Sequence, residues 1–319
     1  MTAPDPITLA VVRGGLHQIA DEMDLHLIHA AISPIISEMH DCAHGVYDAR
    51  NGETIAQGGF GLPMFLANMQ YTVQNLLKHV EADGGFQDGD IWIVNDPYIS
   101  GTHLQDVVLV APYFVEGECF ALLANTGHWM DIGGGTPGGW APQAREIHQE
   151  GFIIPPLRLV KGGVRNDEVV KMILANLRLP DQIAGDLEAM TNVFHVGARG
   201  LNDLIGRYGA SEVRGCIDEM MTRSERQMRD HIAALPDGVY RFEDTFDNDG
   251  VVDAPLRPLV RWEESEGAES YVVEFSACDS WPDCDFAEIS ARVVSTELQA
   301  RPDSPLRVEL DAAAGPLGA

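Results

Sequence analysis

Two short segments of this sequence combine histidine and carboxylate side chains at the same spacing. The first, NDPYISGTHLQD at residues 95–106, places His103 three residues before Asp106. The second, NTGHWMDIGG at residues 125–134, places His128 three residues before Asp131. Imidazole nitrogens and carboxylate oxygens carry protons and bind divalent metal ions. Because both segments follow strand-like runs, proton-transfer or metal chemistry at strand ends is the first hypothesis.

The strands around these segments predict that His103, Asp106 and His128 converge. Residues 90–126 contain the runs DIWIVNDP, DVVLVAPYF and CFALLANT, and the turn EGE at 116–118 joins the last two. If those two pair as a hairpin, the start of one lies beside the end of the other. Two imidazoles and a carboxylate there suit Zn²⁺, Mn²⁺ or Fe²⁺ with open positions. Such a metal could polarise a carbonyl or lower the pKa of bound water.

Ordinary loop chemistry explains the same residues without a metal, because Asn, Asp and Thr form turns and backbone carbonyls can satisfy histidines. Asp131, just before three glycines, suits a turn as well as it suits a ligand or a residue that orients one.

A third segment, ISEMHDCAHGVYD, groups four further candidates, Glu38, His40, Asp41 and His44. They could supply ligands or a base, or belong to a solvated turn. Glu150 could be a general base or merely exposed.

The surrounding pattern predicts an α+β fold, with an antiparallel or mixed sheet, flanking helices and a loop-built metal site. Apolar residues at helical spacing predict helices over residues 6–32, 63–81, about 179–207 and about 210–234. Alternation predicts a hairpin at 44–57 and antiparallel strands within 238–250, 256–263 and 270–276. The Gly- and Pro-rich segment 132–163 is expected to be a long, ordered loop.

We expect three regions along the chain. Residues 1–235 form the core with the metal site, residues 236–301 form C-terminal antiparallel strands, and residues 302–319 form a frayed tail. The strongest sequence signal for a boundary is the stretch Leu235–Asp237, where Pro236 ends the last helical pattern.

Composition excludes several classes of protein and partner. The chain has 319 residues, of which 45% are hydrophobic and 22% charged, as in a globular protein. Its formal net charge of −28 argues against nucleic acid or an anionic membrane as a partner, because phosphate binding needs clustered Lys and Arg. Five cysteines without a CxxC pair indicate neither a disulfide framework nor a zinc ribbon. With no signal peptide or membrane-spanning run in the sequence, a cytoplasmic location is expected.

The order of four segments resembles the hydantoinase B/oxoprolinase family, which includes metal-bearing subunits of acetone and acetophenone carboxylases and of caprolactamase. The segments are ISEMHDCAHGVYD, NDPYISGTHLQDVVLVAPYF, NTGHWMDIGGGTPGGWAPQAREIHQEGFIIPP and LRLPDQIAGDL, and the resemblance covers residues 6–250. It implies that His103, Asp106 and His128 are metal ligands and that Asp41 joins them. The implied cofactor is a divalent metal, Zn or Mn.

The resemblance also implies a partner. In the family, a hydantoinase-A-type subunit uses ATP to phosphorylate a lactam or enol oxygen. The B-type subunit then hydrolyses the activated amide or delivers carboxylate to the activated ketone at its metal. The glycines at 133–139 match neither a Walker A motif nor GxGxxG, so ATP is expected in the partner and not in this chain.

These features together predict a metal-dependent subunit of an ATP-dependent cyclic-amide hydrolase that acts on a lactam or hydantoin within a hetero-oligomer. Asp131 and Glu150 are the catalytic candidates. A subunit of a ketone carboxylase is one alternative. A non-catalytic assembly subunit of such a complex is another.

Three departures from the family pattern bear on this interpretation. Where many members have a histidine-containing stretch similar to HIPVHLG, this chain has GGFGLPMFLAN, with Gly61 and Phe65 in place of the histidines. His128 is followed by Trp129 instead of a second histidine. The larger members also extend much further than VVEFSACDSWPD, the last stretch with any likeness. An altered substrate pocket is therefore expected, in a short or split subunit whose site a second polypeptide could complete.

Overall fold

The structure is a computed structural model, and it describes residues 4–234, 238–243, 259–264, 271–276 and 291–294. The helices are α1 (Pro6–Ala30), α2 (Pro34–Ser37), α3 (Met64–Ala82), α4 (Pro97–Ser100), α5 (Ile147–Glu150), α6 (Asp167–Ala175), α7 (Pro180–Tyr208) and α8 (Ala210–Ala233). The strands are β1 (Cys42–Asp48), β2 (Thr54–Gln57), β3 (Ile91–Val94), β4 (Asp106–Val115), β5 (Glu118–His128), β6 (Leu157–Lys161), β7 (Val164–Arg165), β8 (Gly238–Glu243), β9 (Leu259–Glu264), β10 (Tyr271–Ser276) and β11 (Ala291–Val294).

A seven-stranded sheet forms the centre of the first part of the chain. Its strand order is β2-β1-β5-β4-β3-β6-β7, and each neighbouring pair is antiparallel. Helix α3 covers one face, where its Met69 and Val73 pack on Ala43 of β1 and Val108 of β4. Helices α1 and α7 cover the other face. The predicted α+β class and the hairpins β1–β2 and β4–β5 are confirmed.

Helix α1 begins where Asp5 accepts hydrogen bonds from the backbone N–H groups of Ile7 and Thr8, which satisfies donors that the first turn leaves free. It buries one apolar stripe against α7 and the sheet. The two helices approach each other closely because α7 has a glycine, without a side chain, at the contact. A Cβ atom on Gly200 of α7 would stand 2.6 Å from Ile19 of α1. The two helices therefore pack more tightly than larger residues would allow.

A buried hydrogen-bonded pair fixes α1 to the sheet. His44 of β1 and Asp24 of α1 are both inaccessible to solvent, and Nδ1 of His44 lies 2.6 Å from Oδ1 of Asp24. The other oxygen of Asp24 accepts the backbone N–H of Phe60 at 3.0 Å. Buried polar groups are stable only when they are hydrogen-bonded. The pair therefore fixes α1, β1 and the segment after β2 relative to one another.

Several short elements were not predicted from the sequence. The segment 132–163, expected to be a loop, contains α5 and β6, and α6 follows it. Helix α6 begins where Asn166 accepts from the N–H of Val169, and β6 pairs with β3. These elements are short, so their patterns are too brief to separate from loop sequence.

The second part of the chain has a sheet of its own. The chain divides into two compact units, Met1–Met220 and Met221–Ala319. In the second unit β8 to β11 form a four-stranded antiparallel sheet in the order β11-β10-β9-β8. Residues 302–319, predicted as a tail, lie outside the described residues. The predicted boundaries at 235 and 301 stay predictions. None of the described helices is both long and apolar enough to cross a membrane.

The buried pair between α1 and β1 predicts a large loss of stability in the Asp24→Ala variant. Removing Asp24 leaves Nδ1 of His44 buried without its hydrogen-bond partner, so the free energy of unfolding should fall by about 1–3 kcal/mol. Asp21→Ala, one turn away on α1, removes an exposed hydrogen bond to the N–H of Gly59 and should cost below about 1 kcal/mol. Urea unfolding followed by circular dichroism measures both. Equal losses in the two variants would contradict the role given to the pair.

Candidate metal centre

Three strands bring carboxylate and imidazole groups into one row at a rim of the seven-stranded sheet. Asp106, the first residue of β4, is the direct partner of His128, the last residue of β5. On the other side of β5, the N–H of His128 donates to the carbonyl of Asp41, just before β1, at 3.0 Å. Asp106 shares the sheet face of Val108 by strand alternation, so the row faces the side that α3 covers. The predicted convergence of Asp106 and His128 is present.

Distances between the side chains are short enough for a shared ion. Nδ1 of His128 lies 3.2 Å from Oδ1 of Asp106 and 3.7 Å from Oδ2 of Asp41. Nε2 of His103 lies 3.5 Å from Oδ2 of Asp106. The two imidazole rings meet edge to face, with centroids 5.1 Å apart. One ligand atom from each of His103, Asp106 and His128 lies within 4.8 Å of the others. The four residues form what we call the rim cluster.

Solvent reaches the rim cluster from one side. The side chain of His103 is 44% exposed and that of Asp41 17%, whereas those of His128 and Asp106 are 7% and 2% exposed. Burial raises the pKa of Asp41; His128 and His103 lower it, while the neighbouring Asp106 raises it further. Two carboxylates this close repel each other unless a positive charge is shared between them. Asp106 and His128 therefore form the buried side of the cluster, and the cluster opens to solvent at His103.

The donor set fits a divalent metal ion. Oδ1 of Asp41 and Oδ2 of Asp106 are buried and have no hydrogen-bond partner among the described residues, as is also true of Oγ1 of Thr126. Buried polar atoms are nearly always satisfied, so unpaired carboxylate oxygens here call for a cation or ordered water. Mixed imidazole and carboxylate ligands suit Zn²⁺ or Mn²⁺. His103, Asp106, His128 and Asp41 would hold such an ion.

Asn95, which the sequence indicated only as a turn residue, braces the loops around the rim cluster. It is fully buried, and its Nδ2 donates to the carbonyls of Leu104 at 2.7 Å and Phe152 at 3.0 Å. Its Oδ1 accepts the N–H of Ile154 at 2.6 Å. One side chain therefore joins the end of β3, the loop of His103 and the end of the long loop. The sequence feature that could have indicated this role is the position of Asn95 next to the end of a predicted strand.

Asp131 is engaged by backbone groups and is 2% exposed. Its oxygens accept the N–H groups of Gly133 at 3.0 Å, of Leu179 at 2.7 Å and of Arg178. The guanidinium of Arg178 in turn donates to the carbonyls of Gly133 at 2.9 Å and Gly134 at 2.7 Å. These bonds fasten the glycine turn to the start of α7. They favour a positioning role for Asp131 over direct proton transfer.

Glu150 lies at the end of α5 and is half-buried. Among the described residues, no contact joins its carboxylate to the rim cluster. Its backbone carbonyl packs so closely that a Cβ on Gly134 would stand 2.5 Å from it, and Gly134 has a φ of +76°. Glu150 therefore lies in the long loop with its backbone against Gly134, and its predicted role as a base stays a prediction.

The two residues that replace histidines pack away from solvent or against backbone. A Cβ atom on Gly61 would stand 2.0 Å from the carbonyl oxygen of Cys42, so a side chain there requires the backbone to move. Phe65, in the first turn of α3, is 2% exposed and packs in the core between α3 and the sheet. The altered stretch therefore lies beside Asp41 and contributes apolar packing instead of polar groups.

The remaining candidates from the segment around Asp41 do not join the rim cluster. His44 faces α1 and bonds to Asp24, which the sequence did not single out. His40 has a φ of +58°, the left-handed region, and lies in the turn before Asp41. Asp24 was missed because it lies 20 residues from its partner among other charged residues of α1.

Known proteins match most of this chain. The family model described as Hydantoinase B/oxoprolinase matches residues 5–286. The chain is 36% identical over 245 residues to the beta chain of the caprolactamase of Pseudomonas jessenii, covering 75% of this chain and 41% of that protein. It is 31% identical over 259 residues to the B component of a putative D-/L-hydantoinase of a Pseudomonas species, covering 81% and 44%.

A solved structure has the same fold. The crystal structure of the ATP-dependent caprolactamase from Pseudomonas jessenii superposes with a TM-score of 0.74 at 32% identity, covering 86% of this chain and 46% of that chain. The chain thus spans less than half the length of these relatives. The match over residues 5–286 includes the whole seven-stranded sheet and all four residues of the rim cluster. This chain belongs to the hydantoinase B/oxoprolinase family.

Proposed function

We propose that this chain is the metal-bearing part of an ATP-dependent cyclic-amide hydrolase. The observation that carries the proposal is the rim cluster, in which two carboxylates and two imidazoles converge with unpaired buried oxygens. The caprolactamase relative is ATP-dependent by name, and the matched chain is one of its subunits. By analogy, the substrate is a lactam or hydantoin that a hydantoinase-A-like partner first phosphorylates with ATP.

A divalent metal in this cluster would polarise the substrate carbonyl or lower the pKa of bound water. Asp106 and His128 are buried and would fix the position of the ion, while the exposed His103 stands where substrate enters. Asp131 keeps the glycine turn against α7, and Asn95 holds the loop of His103 in register. Glu150 is our candidate base, on the wall of the long loop.

A ketone carboxylase subunit is the second candidate. The observation that favours it is the segment after β2, where Gly61 and Phe65 stand in place of the histidines common in the family. With Phe65 in the core and Gly61 against Cys42, this segment supplies no proton donor beside Asp41. Carboxylation of a ketone needs fewer acid–base groups at this position than opening of a cyclic amide at its ring nitrogen. It would therefore tolerate the loss of these histidines.

Metal content tests the proposal directly. Elemental mass spectrometry of the purified chain should find about one Zn or Mn per chain after loading. His103→Ala and His128→Ala each remove a ligand and should lower metal affinity by more than the roughly 10- to 100-fold that loss of an outer hydrogen-bond partner costs.

His195→Ala is the matched control, because His195 is an exposed histidine on α7. It should leave metal content unchanged. A wild-type chain that binds no metal would contradict the catalytic proposal for this chain and would favour an assembly subunit.

Reaction assays with the ATP-using partner should separate the two candidate activities. For the hydrolase, ring opening of a lactam or hydantoin should need both chains and ATP, and should not depend on bicarbonate. Asp106→Asn should abolish it without preventing assembly, since it removes a buried ligand charge. Carboxylation of a ketone that depends on bicarbonate would instead assign the second candidate.

A further inference from the structure

Thr126 lies in a second row of side chains, one step inward from the rim cluster. In β5 it comes two residues before His128, so the two side chains leave the strand on the same sheet face. Its direct partners are Ala43 on β1 and Val108 on β4. Both partners belong to the core that α3 covers. The hydroxyl of Thr126 therefore stands between the proposed metal ligands and the apolar core.

That hydroxyl is buried without a hydrogen-bond partner. Thr126 is 1% exposed, and its Oγ1 has no partner among the described residues. Ala43 and Val108 beside it are apolar, and so is Ala124, the next residue inward on β5. A buried hydroxyl that stays unpaired lowers the stability of the fold. Its partner is therefore expected on the remaining side, toward the rim cluster.

The unpaired carboxylate oxygens of the rim cluster lie on that side. Oδ1 of Asp41 and Oδ2 of Asp106 have no hydrogen-bond partner among the described residues, and these two residues flank His128 across the strands. A metal ion can bind both oxygens, because each offers lone pairs. The proton of a hydroxyl needs an acceptor atom instead, which a cation cannot supply. A further oxygen atom is thus missing between Thr126 and the proposed ion.

Water suits this place. On the outer side of the cluster the side chain of His103 is 44% exposed, so substrate can reach the ion there. On the inner side Thr126 and Asp106 are closed off from bulk solvent. Buried water molecules typically make about three hydrogen bonds to polar groups that would otherwise be unpaired. The hydroxyl and the two carboxylate oxygens are such groups.

We infer that Thr126 is a positioning residue, whose hydroxyl holds the water molecule consumed by the proposed hydrolysis on the inner side of the metal ion. The inference rests on the proposed function and adds a residue to its site. Donation from the hydroxyl fixes where the water oxygen stands relative to the ion. The substrate can then occupy the outer side, at His103, without displacing the water.

Fluoride tests this on the cobalt-loaded chain, because it is close to water in size, can replace water on the ion and accepts hydrogen bonds. Cobalt absorption bands report its binding. Thr126→Val keeps the shape of the side chain and removes the hydroxyl. Fluoride should then bind at least about tenfold more weakly, as expected for a lost hydrogen bond to a charged acceptor. The cobalt content should stay at the wild-type level.

Two further variants show whether the hydroxyl is the cause. Thr126→Ser keeps a hydroxyl at this position and should restore most of the fluoride affinity. Thr191→Val makes the same substitution on α7, where the hydroxyl donates to the carbonyl of Leu187 at 2.8 Å. It should leave fluoride binding unchanged.

The hydrolysis assay with the ATP-using partner gives a second readout. Thr126→Val should lower kcat by about tenfold or more and leave the KM for the lactam nearly unchanged, because the substrate binds on the outer side. An increase in KM at unchanged kcat would contradict a role in holding the water.

The outcomes separate the inference from the proposed function. Equal fluoride affinity in the wild type and Thr126→Val would overturn the inference and leave the metal centre standing. The same holds if Thr126→Ser binds fluoride as weakly as Thr126→Val, or if Thr126→Val loses its cobalt, since the hydroxyl would then hold the ion itself. Absence of cobalt from the wild-type chain would contradict the proposed function, and the inference with it.

Discussion

The antiparallel register of β1, β5 and β4 is the constraint on which the site depends. It aligns Asp41, His128 and Asp106 in one row across three neighbouring strands. A slip of one residue in either pairing would turn one of these side chains to the opposite sheet face. The tight turn at Glu116 and Gly117, both with positive φ, and the register shift between Tyr113 and Phe114 together set the pairing of β4 with β5. The chemistry of the site therefore depends on the backbone hydrogen bonds of the sheet.

Packing on both faces holds that register. The cluster beneath α3 fills one face, and the pair of Asp24 with His44 fixes α1 to the other. Above the rim, Asn95 and Asp131 join loops that are distant in sequence. These buried polar residues are each satisfied by backbone groups, while one oxygen of Asp106 and one of Asp41 are left without a hydrogen-bond partner among the described residues. The proposed cation would satisfy these two oxygens.

Long periodic elements were predictable from the sequence, and contacts across the fold were not. Helices α1, α3, α7 and α8 were predicted to within three residues at each end because each carries a sustained apolar stripe. The convergence of Asp106 and His128 was predictable from one short turn, whereas their direct pairing also depends on the register shift between Tyr113 and Phe114, which the sequence pattern did not reveal. The roles of Asp131 and Asn95 depend on partners 48 and 57 residues away, which spacing does not reveal.

The most direct measurement is anomalous X-ray diffraction from crystals of the metal-loaded chain, collected at the absorption edge of the bound ion. We expect one strong peak between β1, β5 and β4, with nitrogen atoms of His103 and His128 and oxygen atoms of Asp41 and Asp106 at about 2.0–2.2 Å. A metal peak held by other residues, or no peak at this rim in fully loaded protein, would contradict the proposed centre.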